Sequence, residues 1–487
     1  MSRFERLSAL DCAFLYAESP TAHMHVGSLL FFEDNGITEA DIFEHIRSRL
    51  HFVPRFRKKV RFVPGGLHRP VWVDDPHFDL RFHVRWTGLP KPRGEAEALA
   101  LMGRLMSHHL DRRKPLWEMW IFDLEDGRRG IIQKTHHCLI DGASGVDLGT
   151  VMLDFSKDAP AVEPELWSPE PEPSDAELTR DALLDLRERP RQLRDAAKRV
   201  FEDVEAREHL AEKAREVLDG IKSFGRAAAE LMPKTSLNAP IGAHRRYHTV
   251  RLPLADVKRL RKRYECTVND VVLALVTHAL RKLLTARRES VEGLVMKAMV
   301  PVSVRDASQA RTWGNKVSMM AADLPVGEAE PSVCIARLKE RMADLKASRQ
   351  AVGADFWVRL GEYAPPTLLS LAGRAISLQR MVNLVVTNVP GPQFPLYLRG
   401  ARMLEAFPYV PVFAQNPLSV AVLSYDGELG FGLTGDWDAV PDLEVFAAGI
   451  REGLALLDQG GVTPAVAAAG KRTRKPKKKA AARDQAG

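Results

Sequence analysis

Residues 135–144 read THHCLIDGAS, two adjacent histidines followed four residues later by an Asp-Gly pair. The approach to them reads as a hairpin. WEMWIFDL (117–124) and GIIQKTHH (130–137) are strand-like, and EDGRR (125–129) between them carries an Asp-Gly turn signal. Neighbouring side chains on a strand point to opposite faces, so His136 and His137 face different surroundings. That spacing argues against joint metal ligation, which on a helix would use i, i+4, and no Cys or carboxylate cluster completes a site. Two readings stay open: a satisfied structural pair ahead of a turn, or one working base held by its neighbours. Imidazole can accept and return a proton near neutrality. Asp141 at the turn can fix local geometry by hydrogen bonds, and Gly142 allows positive φ or close backbone approach.

Outward from the motif, the chain alternates short strands and helices. HVGSLLFFE (25–33) reads as a strand, and TEADIFEHIRSRL (38–50) as a helix capped by Thr38. VDLGTVMLDFS (146–156) reads as a short helix. Five prolines between 160 and 173 mark a linker. Residues 175–232 have helical period and mixed charge, and Pro190 is expected to divide them into two amphipathic helices packed on the body. A membrane-surface role for them is the alternative. A second α/β stretch follows from about 245 to 460. TVNDVVLALVTHALRKLL (267–284) is an apolar helix that Thr267 and Asp270 start as a capping box. GLVMKAMVPVSVR (293–305) and MVNLVVTNVPG (381–391) are strand-like. The expected organisation is a first domain over 1–157, a Pro-rich and helical linker over 158–240, a second domain over 241–465 and a basic disordered tail over 466–487. Two facing halves place a ligand cleft between them.

At 487 residues the chain is too long for one ordinary core. It carries 70 Lys and Arg against 63 Asp and Glu. The tail from 471 to 487 alone holds eight basic residues and one acidic, leaving residues 1–470 neutral at 62 of each. A nucleic-acid-binding face is therefore not expected. Cys12, Cys138, Cys266 and Cys334 are scattered without CxxC spacing, which fits a reducing, cytoplasmic setting. We read neither a signal peptide nor eighteen apolar residues in a row, so membrane contact is expected to be peripheral.

His-His-x-x-x-Asp-Gly between a strand and a helix resembles the active-site motif of the CoA-dependent acyltransferase superfamily. Further stretches narrow the resemblance. LSALDCAFLYAESPTAHMHVGSLLFFE (7–33), PLWEMWIFD (115–123), SLNAPIGAHRRY (236–247), VND (268–270), PVSVR (301–305), TNVPGP (387–392) and GLTGDWDAVPD (432–442) are similar to the bacterial wax ester synthase/diacylglycerol acyltransferase family, in order and in both halves.

The resemblance implies an α/β fold of two chloramphenicol acetyltransferase-like domains, each a mixed sheet with helices, and a cleft between them. It implies His137 as general base, taking the proton of a substrate hydroxyl that attacks an acyl-CoA thioester. His136 is then structural. Asp141 turns away from substrate, with Arg305 as its candidate partner. Asn269 and Asp270 match an Asn-Asp pair near the family's active site, although capping alone explains Asp270. Asn388 and Thr387 are candidates for oxyanion donors, and Trp117 of PLW reads as core packing. The expected substrates are long-chain acyl-CoA with diacylglycerol or a fatty alcohol. No cofactor is expected. The basic tail is a candidate anchor to an anionic membrane or lipid-droplet surface. The alternatives are a condensation-type enzyme using carrier-protein thioesters, or a lipid-surface protein without catalysis.

Overall fold

A computed structural model describes residues 4–139, 152–202, 233–303, 317–347, 382–413 and 415–460. Two six-stranded mixed sheets dominate it, with a small three-stranded sheet at one side.

The hairpin forms as its turn chemistry requires. Strands β6 (Trp117–Asp123) and β7 (Arg129–His136) pair antiparallel from Asp123↔Arg129 to Trp117↔Thr135, and Gly127 takes the left-handed conformation at the turn. Strand β2 (His25–Phe32) lies on the other side of β7, placing His25 opposite His136. Its two faces enter two cores: Leu30 and Phe32 face one, Leu29 and Phe31 the other. Strand β5 (Val84–Trp86) extends the sheet beyond β6. Helices α1 (Ala9–Ala17) and α2 (Glu39–Arg49) both begin in capping boxes, Ser8 with Asp11 and Thr38 with Asp41. Each box satisfies two backbone N–H groups that the first turn leaves without a helical partner. Strands β1 (Glu5–Arg6), β3 (Lys58–Arg61) and β4 (Val71–Asp74) form the small sheet. Short α3 (Leu80–His83) precedes β5, and α4 (Glu95–Met106) covers the second face of the large sheet.

The Pro-rich connection is strapped to the small sheet. Glu172 pairs with Lys59 at 2.8 Å and with Arg61 at 3.1 Å, and Arg57 lies over the Trp167 ring. The helix that follows, α5 (Asp175–Glu202), runs unbroken through Pro190, against the expected division there. Pro190 removes the N–H that would reach the Leu186 carbonyl, a cost of about 3 kcal/mol in a helix interior. The helix's first turns dock through buried Leu178 and Ala182, Asp181 on Arg6 and Asp185 on His68. Residues 203–232, the rest of that expected helical stretch, lie outside the described residues, as do 466–487.

The second half is built on strands β8 (Arg245–Pro253), β9 (Met296–Ser303), β10 (Val317–Leu324), β11 (Leu384–Pro390), β14 (Leu418–Tyr425) and β15 (Glu428–Asp436), in the order β10-β9-β11-β14-β15-β8. Helices α6 (Leu254–Arg263), α7 (Val268–Ala286), α8 (Pro331–Ala347) and α9 (Leu443–Gln459) pack around it. Helix α7 is apolar on nearly every side, as an interior helix must be. Val271 to Val276, Leu280, Leu283 and Leu284 are all buried in one core.

One strand changes halves. After short β12 (Tyr397–Leu398), strand β13 (Ala401–Tyr409) leaves the second half and pairs antiparallel with β2, completing the first sheet. It crosses directly over β15, where glycines make room. A Cβ on Gly432 would lie 1.7 Å from the Pro408 carbonyl oxygen, and one on Gly430 2.3 Å from that of Ala406. Dividing the chain at residue 240 does not anticipate this exchange. Polar groups reinforce the seam. Tyr247 Oη donates to the Pro408 carbonyl at 2.8 Å, and Arg251 bridges Glu95 and Glu405.

Candidate functional site

The β2–β7 ladder continues one step past the last strand residue. The His137 N–H donates to the Met24 carbonyl at 2.8 Å, and a 3-10 turn, His137–Leu139, starts there. The two histidines thereby separate, as strand alternation requires. His136 falls on the face shared by Ile132 and Lys134, and it is 1% exposed. Its Nδ1 accepts from the Cys138 N–H at 3.1 Å, so its ring proton sits on Nε2. His137 turns the other way and is half-buried. Its ring stacks on Phe14 of α1, with centroids 3.7 Å apart and planes 16° apart.

The apolar surroundings of Phe14 are assembled from both halves. Phe14, Ala17, Ala22 and Met24 form one apolar cluster with Ile241, Val412 and Phe413. A hydroxyl substrate with an acyl or alkyl chain would find here an apolar surface next to an imidazole. Burial lowers the His137 pKa to about 4, opposed only by its own backbone carbonyl. The imidazole is therefore neutral at pH 7, the form that can accept a proton. Of its two ring nitrogens, Nδ1 is sealed from solvent without a closed hydrogen bond.

Behind the pair lies a polar layer that sequence reasoning did not find. The Glu18 side chain, just past the end of α1 and 3% exposed, directs Oε1 at three imidazoles. His109 Nδ1 lies 3.3 Å away, His25 Nε2 3.4 Å and His136 Nε2 3.7 Å. Glu18 Oε2 accepts from Arg112 Nη2 at 2.6 Å and Nε at 3.1 Å. Burial opposes ionisation of this carboxyl, but the facing His25 and His136 imidazoles and the Arg112 guanidinium outweigh it and hold the group anionic. Burial also lowers His25 well below its ordinary pKa and His136 to about 4. The signal available in the sequence was histidine crowding: HMH at 23–25, HH at 108–109 and HH at 136–137.

Arg245 locks the same region from the second half. It is 2% exposed, donates from Nη1 to the Gly242 carbonyl at 2.7 Å, reaches the Thr21 carbonyl, and lies 3.5 Å from Asp436. Its N–H donates to Ser107 Oγ at 2.9 Å.

The other sequence candidates lie elsewhere or outside the described residues. Asp141, Gly142 and Arg305 are not among the described residues, nor is most of the short helix expected over 146–156. Asp270 is 3% exposed and caps α7: Oδ2 accepts from the Thr267 N–H and Oγ1, each at 2.8 Å. Asn269 is half-buried beside it. Thr387 and Asn388 are half-buried on β11, opposite Ala421 and Val422 of β14. There β11 has already parted from β9, with which it pairs only at Leu384 and Val385. The described contacts do not bring Asn269, Asp270 or Asn388 to His137. Trp117 is core: it is 2% exposed, stacks on His83 and donates Nε1–H to the Phe56 carbonyl at 2.8 Å. Among the described residues, no group of three or more His, Cys, Asp or Glu is arranged to hold a metal ion, and no helix is long and apolar enough to cross a membrane.

Comparison with known proteins identifies relatives of this chain. Residues 7–272 match the wax ester synthase/diacylglycerol acyltransferase catalytic domain, and residues 313–458 match the WS/DGAT C-terminal domain. A Mycobacterium tuberculosis H37Rv protein, named probable diacylglycerol O-acyltransferase tgs1, is 33% identical over 459 residues, covering 93% of this chain and 95% of its own. A second from that strain, tgs2, is 31% identical over 461 residues, covering 92% and 98%. The solved wax ester synthase/diacylglycerol acyltransferase from Marinobacter aquaeolei VT8 superposes with a TM-score of 0.66 at 25% identity, over 93% of this chain and 99% of that one. The first condensation domain of the calcium-dependent antibiotic synthetase shares the fold, with a TM-score of 0.59 at 18% identity, over 95% and 97%.

Proposed function

Since this chain belongs to the wax ester synthase/diacylglycerol acyltransferase family, we propose that it acts through His137 as the general base of acyl transfer from acyl-CoA to a hydroxyl. The protein is an acyl-CoA-dependent O-acyltransferase of the diacylglycerol acyltransferase/wax ester synthase type. The single observation that carries the role of His137 is its placement: a half-buried imidazole stacked on Phe14, whose apolar cluster draws on both halves.

The chemistry needs little else. Nε2 of His137 takes the proton as the acceptor oxygen attacks the thioester carbonyl. The tetrahedral intermediate collapses with cleavage of the C–S bond, and the imidazolium returns its proton to the CoA thiolate. Atoms and charge balance without an acyl-enzyme or a cofactor. Holding both substrates at one base supplies proximity, and the base itself contributes typically 10²- to 10⁴-fold. Asp141, Gly142 and Arg305 enter this reading from the motif alone, as the turn and its support. Asn388 enters as a candidate oxyanion donor near the parting of β11 from β9.

Diacylglycerol as acceptor is supported by the names of the mycobacterial relatives, with a long-chain acyl-CoA as donor. Both candidate acceptors, diacylglycerol and a fatty alcohol, are water-insoluble, so in this reading the enzyme works at the cytoplasmic membrane face or a lipid-droplet surface, held peripherally with help from the basic tail. The deciding experiment offers purified protein palmitoyl-CoA with diacylglycerol and with hexadecanol in parallel, for wild type and His137→Ala. Ester formation that is lost in the folded variant is the expected result. Equal activity in the variant removes His137 from the mechanism.

A further inference from the structure

The polar layer behind the histidine pair is larger than a structural strand end requires. Three atoms in it, Glu18 Oε1, His25 Nε2 and His136 Nε2, are sealed from solvent and lack a closed hydrogen bond. They face one another, at 3.4 and 3.7 Å from the carboxylate oxygen. Buried polar atoms that face one another in this way are costly to separate or to misalign. His136 is committed further, because the Cys138 N–H on Nδ1 places the ring proton on Nε2, the nitrogen toward Glu18.

Each of these residues adjoins a group that holds the proposed base. His136 precedes His137 in the chain. His25 follows Met24, whose carbonyl accepts the His137 N–H. Glu18 follows the helix that carries Phe14, the ring on which His137 lies. One carboxylate thus ties together the three backbone segments around the imidazole. Arg112 fixes that carboxylate from outside, and also donates to the Leu15 carbonyl of α1 at 3.0 Å.

We propose that Glu18 is a positioning residue for His137, a role that rests on the acyl-transfer reading above: its carboxylate anchors His136 and His25 and so fixes the frame from which the base projects. It does not touch the reacting atoms. Glutamine is the informative replacement. It keeps the shape but loses the charge, and its amide cannot accept from Arg112 and from the imidazoles through both ends.

The test uses the full-length chain with palmitoyl-CoA and diacylglycerol, reading CoA release. Glu18→Gln is expected to fold, judged by circular dichroism and its unfolding midpoint, while kcat falls at least about tenfold and KM for palmitoyl-CoA stays within about threefold. A merely structural role predicts a lower midpoint with kcat per folded molecule intact, and that result overturns the proposal. His137→Ala runs alongside. If it is inactive while folded Glu18→Gln keeps full kcat, the proposal falls and the acyl-transfer reading stands. If His137→Ala is itself active, the reading beneath the proposal fails. Should Glu18→Gln not fold, Arg112→Gln and His109→Gln carry the test, since each loosens the same carboxylate from its outer side. A kcat lowered about two- to fivefold at unchanged KM supports positioning, and unchanged kcat in both overturns it.

Discussion

His137 lies flat against Phe14, their ring centroids 3.7 Å apart. The contact joins a residue of the 3-10 turn to half-buried Phe14 of α1, at the point where the β2–β7 ladder ends. A flat apolar partner restricts rotation of the imidazole and dries one of its faces. Phe14→Ala removes both effects. It should lower kcat by about tenfold, equivalent to about 1.4 kcal/mol of transition-state stabilisation, with a smaller change in KM. Steady-state kinetics of the folded variant checks this, and an unchanged kcat would show that the stack is packing alone.

The pH dependence follows from the neutral state of His137. With a pKa lowered to about 4 by burial, the base form dominates at pH 7 and at pH 5. Initial rates at saturating substrate should therefore stay level from pH 8 to 5 and fall only nearer pH 4. An acid limb centred near 6.5 would place a solvent-like histidine in the rate equation instead.

Stability should fail before the base does. Fully buried His83 and His136 have pKa values lowered to about 4, and His25 is also well below its ordinary value. The unfolded chain protonates these rings near pH 6.5, whereas the native state resists until about 4. Native stability is thus fully present above 6.5 and declines as the pH falls through that window. Each such histidine contributes up to about 1.4 kcal/mol per pH unit. Urea denaturation at pH 7.5 and 5.0 should show a clearly lower midpoint at the acid value, and coincident curves would contradict the burial of these rings.

The crossing of β13 over β15 gives a steric prediction. Gly432→Ala puts a methyl group where the Pro408 carbonyl oxygen already sits. Overpacking of this kind costs about 1–3 kcal/mol, and backbone rather than a flexible side chain must give way here. Equilibrium unfolding measures the loss, and a neutral substitution would mean that the two strands separate easily.

Capping and site support can be separated at the start of α7. Thr267→Ala should cost about 1 kcal/mol of stability, the usual value of a lost N-cap, with kcat per folded molecule unchanged. Asn269→Ala touches no capping bond, so a fall in kcat without loss of stability would assign Asn269 to the site. Unfolding curves and rates on the same samples distinguish the two.

Local signals explain what could be read in advance. The Asp-Gly turn, the Thr38 and Thr267 caps and the alternation along β2 each act within a few residues, and each element formed where those signals lie. His136 and His137 part to opposite faces because strand geometry demands it. Pro190 misled because a proline breaks a helix only where its local cost exceeds what the flanking turns supply. The β13 exchange was illegible for a different reason. ARMLEAFPY (401–409) says strand, but nothing local says that its partner begins at residue 25. Glu18 escaped notice similarly. A lone carboxylate after a helix has no pattern of its own, and its partners are scattered at 25, 109, 112 and 136.

The late arrival of β13 has a consequence for biosynthesis. The first sheet stays open along β2 until residue 409 has left the ribosome, long after β7 at 129–136 has emerged. At about 5–20 residues per second, that interval is on the order of ten to fifty seconds. Throughout it a nascent edge strand carrying two adjacent phenylalanines waits uncovered, a natural point of engagement for chaperones during translation.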